Sequence, residues 1–536
     1  MSANTYVHPN LVIYNAKVFQ SAEPNLYRHT AIAISNGRIA AIGSDSDILP
    51  LVKPGTQKID ARKRWILPAL MDSHTHLAEY AERKLQVELS DCHSLDEALT
   101  RISKAVANKP PGSWVIGGGW DKNKWGLAGF PDKSSLDEIS RQHFIALQSK
   151  DWHSHWVNSN VLAVCGINDA SADPPGGTIL RYKNSREPSG VLQETARDVV
   201  LQSIAPATLE EIAPVLQETF AEFHRFGITG VHSVESPYTF AHYQQLYDRA
   251  KLGLRIFWYF PLRFLESSEE EGFYAGRGNS FLKICGVKMF TDGALGSQTA
   301  HMLEPYNNLD HTGIEVLSEE TLQEKIHLSV EKKLSCAIHA IGDAANRKVL
   351  TAFGNVKTAS RALGLRHRIE HAQLLHPDDI PLFAQYNVIA SMQPIHLAAD
   401  IPMIEKYWSP RGRYAYAFRS LLNSNARLIF GSDTPIESFD PWKGIYAAVA
   451  RKPNCNPQEA GYYPEESTSV KDAILAYTQN SAFAVGEENE LGALQEGKLA
   501  DLIMIDQDIF NEPPEALLET NVLMTVQNGE IIFEEM

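Results

Sequence analysis

The stretch WILPALMDSHTHL, Trp65 to Leu77, is the one around which the rest of the chain arranges itself. An apolar run from Ile66 to Met71 ends in Asp72, Ser73, His74, Thr75 and His76. Alternate residues of a strand point to the same side. His74 and His76 therefore present two imidazoles together where an extended segment ends. Imidazole is the commonest metal ligand among side chains, although a lone His-x-His is a weak signal. Its company strengthens it. Further apolar runs end in the same chemistry: Lys288 in GVKMFTDG, His339 in CAIHAIGD, His371 in HRIEHAQ and Asp433 in RLIFGSDTP.

Working outward, the text from about Pro206 alternates between helical patterns and short apolar runs. LEEIAPVLQETFAEFHRFG leads into GITGVHSV, and YTFAHYQQLYDRAKLG into LRIFWYF. GVKMF, SCAIHAIG, HRIEHAQ, VIASMQ and RLIFGSD follow, most of them after a helical segment. With the opening WILPALMD this makes eight strands, the signature of a (β/α)₈ TIM barrel in the α/β class. The alternative, a doubly wound open sheet, lacks a G-x-G-x-x-G at a strand-to-helix turn. The barrel is expected over residues 66–77 and 206–484. Residues 78–205, rich in Trp, Gly and Pro, read as an inserted subdomain after strand one, expected over the barrel mouth. Residues 1–65 and 485–536 are strand-rich, with hairpin turns at Asn36-Gly37 and Asn528-Gly529. Each end is too short to bury a core alone, so together they are expected to form one small β-sandwich. Two separate β extensions are the other arrangement.

The chain has 536 residues and a formal charge of -16, with 44% hydrophobic and 21% charged residues. This is ordinary for a globular protein. The acidic balance argues against nucleic-acid and anionic-membrane partners, which need a basic face. The first residues lack the charged and apolar regions of a secretory signal, and no apolar run reaches membrane-spanning length. Cys92, Cys165, Cys285, Cys336 and Cys455 are scattered and odd in number. Such a set fits buried thiols in a reducing, cytoplasmic compartment.

Active sites of these barrels form at the C-terminal ends of the strands. His74, His76, Lys288, His339, His371 and Asp433 all fall there. Each has a bland reading: a core histidine, a salt-bridge lysine, a turn-capping aspartate. All of those would have to hold at once, and a shared metal centre accounts for the six together. Six groups exceed one tetrahedral zinc with an open position. They suit two divalent ions, zinc or a related metal, about 3.5–4 Å apart. A lysine beside cations and away from water loses its proton readily. Its amine can then take up carbon dioxide, and the resulting carbamate on Lys288 would bridge the ions.

These motifs together, with GVLQETARD and GALQEGKLADLIMID, resemble the amidohydrolase superfamily and, more narrowly, the amidohydrolase-3 family, whose members include N-substituted formamide deformylases. The resemblance implies one metal on His74, His76 and Asp433, a second on His339 and His371, and Lys288 as bridging carbamate. It also implies a homodimer. Gln298 stands where the family pattern often has arginine, a departure that bears on substrate identity if that arginine contacts substrate. The expected reaction is hydrolysis of a non-peptide C–N bond in a small-molecule amide by a metal-bridging hydroxide. Asp433 would take the proton and pass it to the leaving nitrogen. A cyclic amide or urea is the alternative substrate, and a non-catalytic barrel scaffold the alternative of another class. In the insertion, Trp120, Asp121, Trp125, Trp152, His153, His155 and Trp156 either line a substrate pocket or form an aromatic core. His155 is the one expected to touch substrate. His232 and Asp292 are expected to touch substrate or support the ligands, with Glu194 a weaker candidate.

Overall fold

Eight parallel strands form the centre of the computed structural model, which describes residues 8–21, 26–150 and 153–535. They are β1 (Leu70–Thr75), β2 (Ile228–Val234), β3 (Arg255–Pro261), β4 (Leu282–Phe290), β5 (Ser335–Ala340), β6 (Arg368–His371), β7 (Ile389–Met392) and β8 (Arg427–Phe430), paired in that order. Every residue of β2, β6 and β7 is buried, as parallel strands covered on both faces require. Between them run helices whose starts are readable in the sequence. Ser236 caps Pro237–Asp248, Ser318 caps Glu319–Glu331 and Asp440 caps Pro441–Ala450, each accepting from a backbone N–H of the first turn.

The sheet nearly closes where β8 meets β1. Thr75 and Thr434 form a parallel bridge. The Asp433 N–H donates to the His74 carbonyl and the His76 N–H to the Thr434 carbonyl, both at 2.8 Å. Gly431 permits this approach, since a Cβ there would lie 2.5 Å from the His74 nitrogen. The closure thus brings the two ends of the barrel sequence, and their candidate ligands, side by side.

The run WILPALMD is two strands, not one. Trp65–Pro68 pairs parallel with Lys17–Phe19 and antiparallel with Leu502–Ile505. At Ala69 the extended chain changes neighbours: its N–H donates to the Asp501 carbonyl at 3.0 Å, and the next, of Leu70, to Gly227 at 2.9 Å. The barrel therefore starts at Leu70, later than the expected residue 66. Both chain ends build the resulting sandwich. One sheet has the order Arg38–Gly43, Ala31–Ser35, Leu11–Tyr14, Gln57–Asp60. The other runs Glu530–Glu534, Val522–Gln527, Leu502–Ile505, Trp65–Pro68, Lys17–Phe19, Tyr27–His29. Leu11, Ile13, Ile32, Ile66, Leu502, Met504 and Val526 share its core. Asn36 and Gly37, like Asn528 and Gly529, have positive φ, as the tight hairpin turns demand. A buried bidentate pair, Arg255 to Asp501 at 2.7 and 2.8 Å, ties this sheet to β3.

The chain divides into two units, Met1–Ala78 with Gln217–Met536, and Glu79–Leu216. The second extends past the expected end at residue 205. Its six-stranded sheet has the order Gly177–Arg181, Pro188–Glu194, Ser154–Val157, Phe144–Ser149, Trp114–Trp120, Val87–Glu88. Trp120, Trp125, Trp156, Ile102 and Leu136 are buried together in one of its cores. Among the described residues no helix is long and apolar enough to cross a membrane.

Candidate metal centre

His74, His371 and Asp433 are buried, and each offers a ligand atom within 4.8 Å of the others. They arrive from the ends of β1, β6 and β8. The partners of the ring nitrogens decide what these side chains can do. His74 Nδ1 lies 2.5 Å from Glu370 Oε2, His76 Nδ1 2.8 Å from the Val234 carbonyl and His371 Nδ1 2.8 Å from Gln393 Oε1. These oxygens only accept, so each Nδ1 carries a proton, and in the neutral ring Nε2 is a bare lone pair. His74 Nε2 and His76 Nε2 sit 3.5 and 3.2 Å from Asp433 Oδ1. Lone pairs facing a carboxylate repel it unless a cation or proton lies between. The donor set, imidazole nitrogen with carboxylate oxygen, suits zinc and related divalent ions.

His339 has the opposite tautomer. Its Nε2 lies 2.9 Å from the Gly293 carbonyl and donates to it, leaving Nδ1 bare. The His339 and His371 rings are 4.5 Å apart between centroids, so a second pair of imidazoles adjoins the first cluster. Lys288 is buried among these groups, its Nζ 4.9 Å from the Phe290 ring centroid.

Burial sets the protonation states. It pulls His74 and His339 down to about 4 and His371 well below its ordinary value, so all three are neutral near pH 7. It pulls Lys288 down to about 8, against the opposing carboxylates of Glu370 and Asp433, which leaves part of the lysine as free amine near neutrality. Burial also resists charging of His76, yet Asp433 beside it raises its pKa. For Asp433 burial acts upward, and attraction to the protonated forms of His74, His76 and His371 outweighs it, holding the carboxyl well below its usual range. His371 and Asp433 have φ of 73° and 61°, left-handed conformations that cost a non-glycine residue about 1–3 kcal/mol.

Beneath the cluster lies a network that strand-end reasoning missed. Arg368 and Glu370, both fully buried on β6, form an ion pair, with Arg368 Nη2 2.9 Å from Glu370 Oε2. Ser391 donates to the same oxygen at 2.7 Å. Glu370 thereby fixes the tautomer and the direction of His74. Its sequence signal was the alternation Arg-x-Glu next to His371, two charges in a strand buried on both sides. Asp72 was also missed: its Oδ1 accepts from the N–H groups of His74 and Ser432, both at 3.0 Å, pinning β1 to the β8 turn. His396 reaches Asp433 Oδ2 at 3.9 Å.

The residues expected to touch substrate or support the ligands sit in several environments. His232 is fully buried and turned toward Arg368, whose Nη1 donates to its Nδ1 at 2.7 Å. It supports that network and has no surface for substrate. Asp292 cradles backbone, accepting from the N–H groups of His301, Gly342 and Ile341 at 2.9, 2.8 and 3.1 Å. Its Oδ1 is 3.4 Å from His339 Nε2. Burial pushes its carboxyl up to about 7. Trp120 is core, 2% exposed, its indole donating to the Leu147 carbonyl at 2.8 Å. Trp125 and Trp156 are buried with it, so the aromatic-core reading applies to these three. Asp121 closes a turn, accepting from the N–H groups of Asn123 and Lys124. Trp152 lies outside the described residues. His155 is buried and lines a cavity of about 520 Å³ within the second unit, alongside Trp114, Ile116 and Gln148. His153 is exposed and pairs with Glu194 at 3.0 Å. Gln298 folds back onto its own loop, its amide donating to the Gly296 carbonyl at 2.5 Å.

A sequence model of the Amidohydrolase family matches residues 57–533. The chain is 32% identical to Protein LONG AFTER FAR-RED 3 of Arabidopsis thaliana, over 98% of this chain and 91% of that protein. It is 25% identical to N-substituted formamide deformylase of Arthrobacter pascens, over 98% of both. Among solved structures, an uncharacterized metal-dependent hydrolase from Pyrococcus furiosus superposes with a TM-score of 0.77 at 26% identity, covering 94% of this chain and 99% of that one.

Proposed function

The chain belongs to the amidohydrolase family, and from that premise we propose that it is a metal-dependent hydrolase of a small linear amide, of the N-substituted formamide kind. The observation that carries the reading is the tautomer pattern. His74, His76 and His371 each commit Nδ1 to an acceptor, and two of the bare Nε2 atoms face the Asp433 carboxylate. We assign His74, His76 and Asp433 to one ion and His339 and His371 to a second, with zinc the natural choice for this donor set. Lys288 is assigned as a carbamate: its free amine would add to carbon dioxide with loss of a proton, and the new carboxylate would supply oxygen ligands.

Bound divalent ions would supply a water acidified toward neutrality and a Lewis acid for the carbonyl oxygen. The protein's own part follows from its geometry. Asp433, ionised and beside His76, would accept a proton and deliver it to the departing nitrogen. Glu370, Val234 and Gln393 hold the imidazoles in the orientation this needs. Delivery of that proton returns Asp433 to its ionised form, and the C–N bond breaks to release the amine and the carboxylic acid.

The test is a screen of N-formyl, N-acyl, cyclic amide and carbamate compounds on zinc-loaded and chelator-treated protein. Hydrolysis of a linear N-formyl or N-acyl compound, lost on chelation and restored by zinc, is the expected result. Turnover that survives chelation, or that is confined to cyclic compounds, contradicts the proposal.

A further inference from the structure

One face of the sheet in the second unit changes character along its strands. Phe144, Ala146, Val157 and Leu192 pack there against Val161 and Val200, which come from the helices Ser159–Val164 and Asp198–Ser203. Side chains two residues apart share a side of a strand, so Gln148 and His155 continue the same face. They are direct partners across the antiparallel pair Phe144–Ser149 and Ser154–Val157, which sets their side chains next to each other. At this point the face borders the cavity of about 520 Å³, with Trp114, Ile116, Leu201 and Ile204 as apolar lining.

These two polar residues do not serve bulk water. His155 is 3% exposed, and its Nδ1 is shut from solvent with no hydrogen-bond partner among the described residues. The half-buried Gln148 amide also makes no hydrogen bond among the described residues. Polar groups inside a protein that lack partners cost stability and call for an explanation. Burial, and after it Arg197, pulls the His155 imidazole down to about 4, so near pH 7 it is neutral, with one N–H and one bare nitrogen. The Gln148 amide likewise brings both a donor and an acceptor. The charges of the lining disfavour an anion. Glu82 and Glu211 are negative, and the Lys109 ammonium is engaged, donating to the Trp114 carbonyl at 2.9 Å. An apolar cavity of this size with a few converging polar groups is the usual form of a small-molecule site.

We propose that this cavity is a binding site for an uncharged ring molecule with adjacent hydrogen-bond donor and acceptor groups, of the lactam or ring-carboxamide kind. The ring covers Trp114, Ile116 and Ile204, and water leaves these surfaces. The polar edge meets Gln148 and His155 and fills the hydrogen bonds they lack. The site goes beyond the hydrolase reading and does not rest on it: its residues all belong to the second unit, and the candidate metal ligands all belong to the first.

The probes are 2-quinolinone, which has both groups on its edge, quinoline, which only accepts, and 2-naphthoate, an anion of similar size. Binding is measured by titration calorimetry on the full zinc-loaded chain. Wild type should bind 2-quinolinone roughly 10-fold more tightly than quinoline, since it makes a further hydrogen bond, and 2-naphthoate least of all. His155→Leu and Gln148→Leu should each weaken 2-quinolinone roughly 10-fold and bring its affinity toward that of quinoline. Gln148 is only half-buried, so its variant carries the test should His155→Leu fail to fold. Asp433→Asn should bind 2-quinolinone as wild type does. Equal affinity for 2-quinolinone and either control, or affinity for 2-quinolinone unmoved by the Gln148 and His155 variants, overturns the proposal. Loss of binding in Asp433→Asn would place the ligand at the metal centre and overturn it as well.

Discussion

The chain contains two His-x-His pairs after apolar strands, and they have different fates. His74 and His76 leave β1 beside a β8 turn that carries Asp433, with His371 and His339 arriving from neighbouring strand ends. His153 and His155 leave an equally apolar run, FIALQ, and diverge. His155 turns inward and is 3% exposed, with no partner for Nδ1 among the described residues, while the His153 side chain is 64% exposed beside Glu194. Spacing alone therefore does not make a metal site. The first pair differs in having acceptors behind each ring, which aim the bare nitrogens, and a carboxylate in front. Among the described residues the second pair has one surface carboxylate and no third group converging with it.

Substitutions can break this contrast. The largest effect is expected at Asp433. Asp433→Asn should retain the fold, lose bound metal and lower kcat roughly 10³-fold, in the range of a lost acid–base group. Near-normal turnover, with metal analysis of the same sample, would remove Asp433 from its proposed role. Next comes Glu370→Gln, which leaves an acceptor near His74 and takes away the charge. Zinc affinity, measured by competition with a chromophoric chelator, should fall roughly 10- to 100-fold. Unchanged affinity would mean that the hydrogen bond to His74 is incidental to ligation.

Buried histidines make a comparison through pH. Burial pulls both His155 and His367 from 6.5 to about 4. Above pH 6.5 neither the native nor the unfolded chain holds the proton, and stability is unaffected. Between 6.5 and about 4 the unfolded chain binds a proton that the native state refuses, so stability is lost as pH falls. At pH 5 this amounts to roughly 2 kcal/mol per histidine. Urea unfolding at pH 7 and pH 5 should show His155→Leu with the shallower loss; equal losses in variant and wild type would refute the assignment. The smallest effect is expected at His153. His153→Ala removes an exposed ion pair and should change stability by less than about 0.5 kcal/mol. Its zinc content should equal wild type, and a loss of zinc there would abolish the contrast between the two pairs.

The contrast also explains what was legible in the sequence. The eight barrel strands were readable because hydrophobic runs alternate with helical periodicity, and the candidate ligands because active groups gather at strand ends. The Asn-Gly hairpins were readable from turn chemistry. The division of WILPALMD at Ala69 was not, since the chain stays extended and only its neighbours change. Glu370 was not, because its partner His74 lies 296 residues away. Trp120 lies in an aromatic core, and His232 and Asp292 take the supporting one of their two expected roles, which the sequence left open for one shared reason. A polar or aromatic residue near a site can face the ligand, the core or the backbone, and only packing decides which.

The account stands on a divalent metal held by residues that converge from separate strands of one barrel. The most direct measurement is anomalous diffraction at the zinc edge from crystals of zinc-loaded protein. The account predicts a peak in contact with His74, His76 and Asp433, and a second at His339 and His371 with the end of Lys288 between them. No peak among these side chains at saturating zinc, or one at His153 and His155 instead, would contradict it.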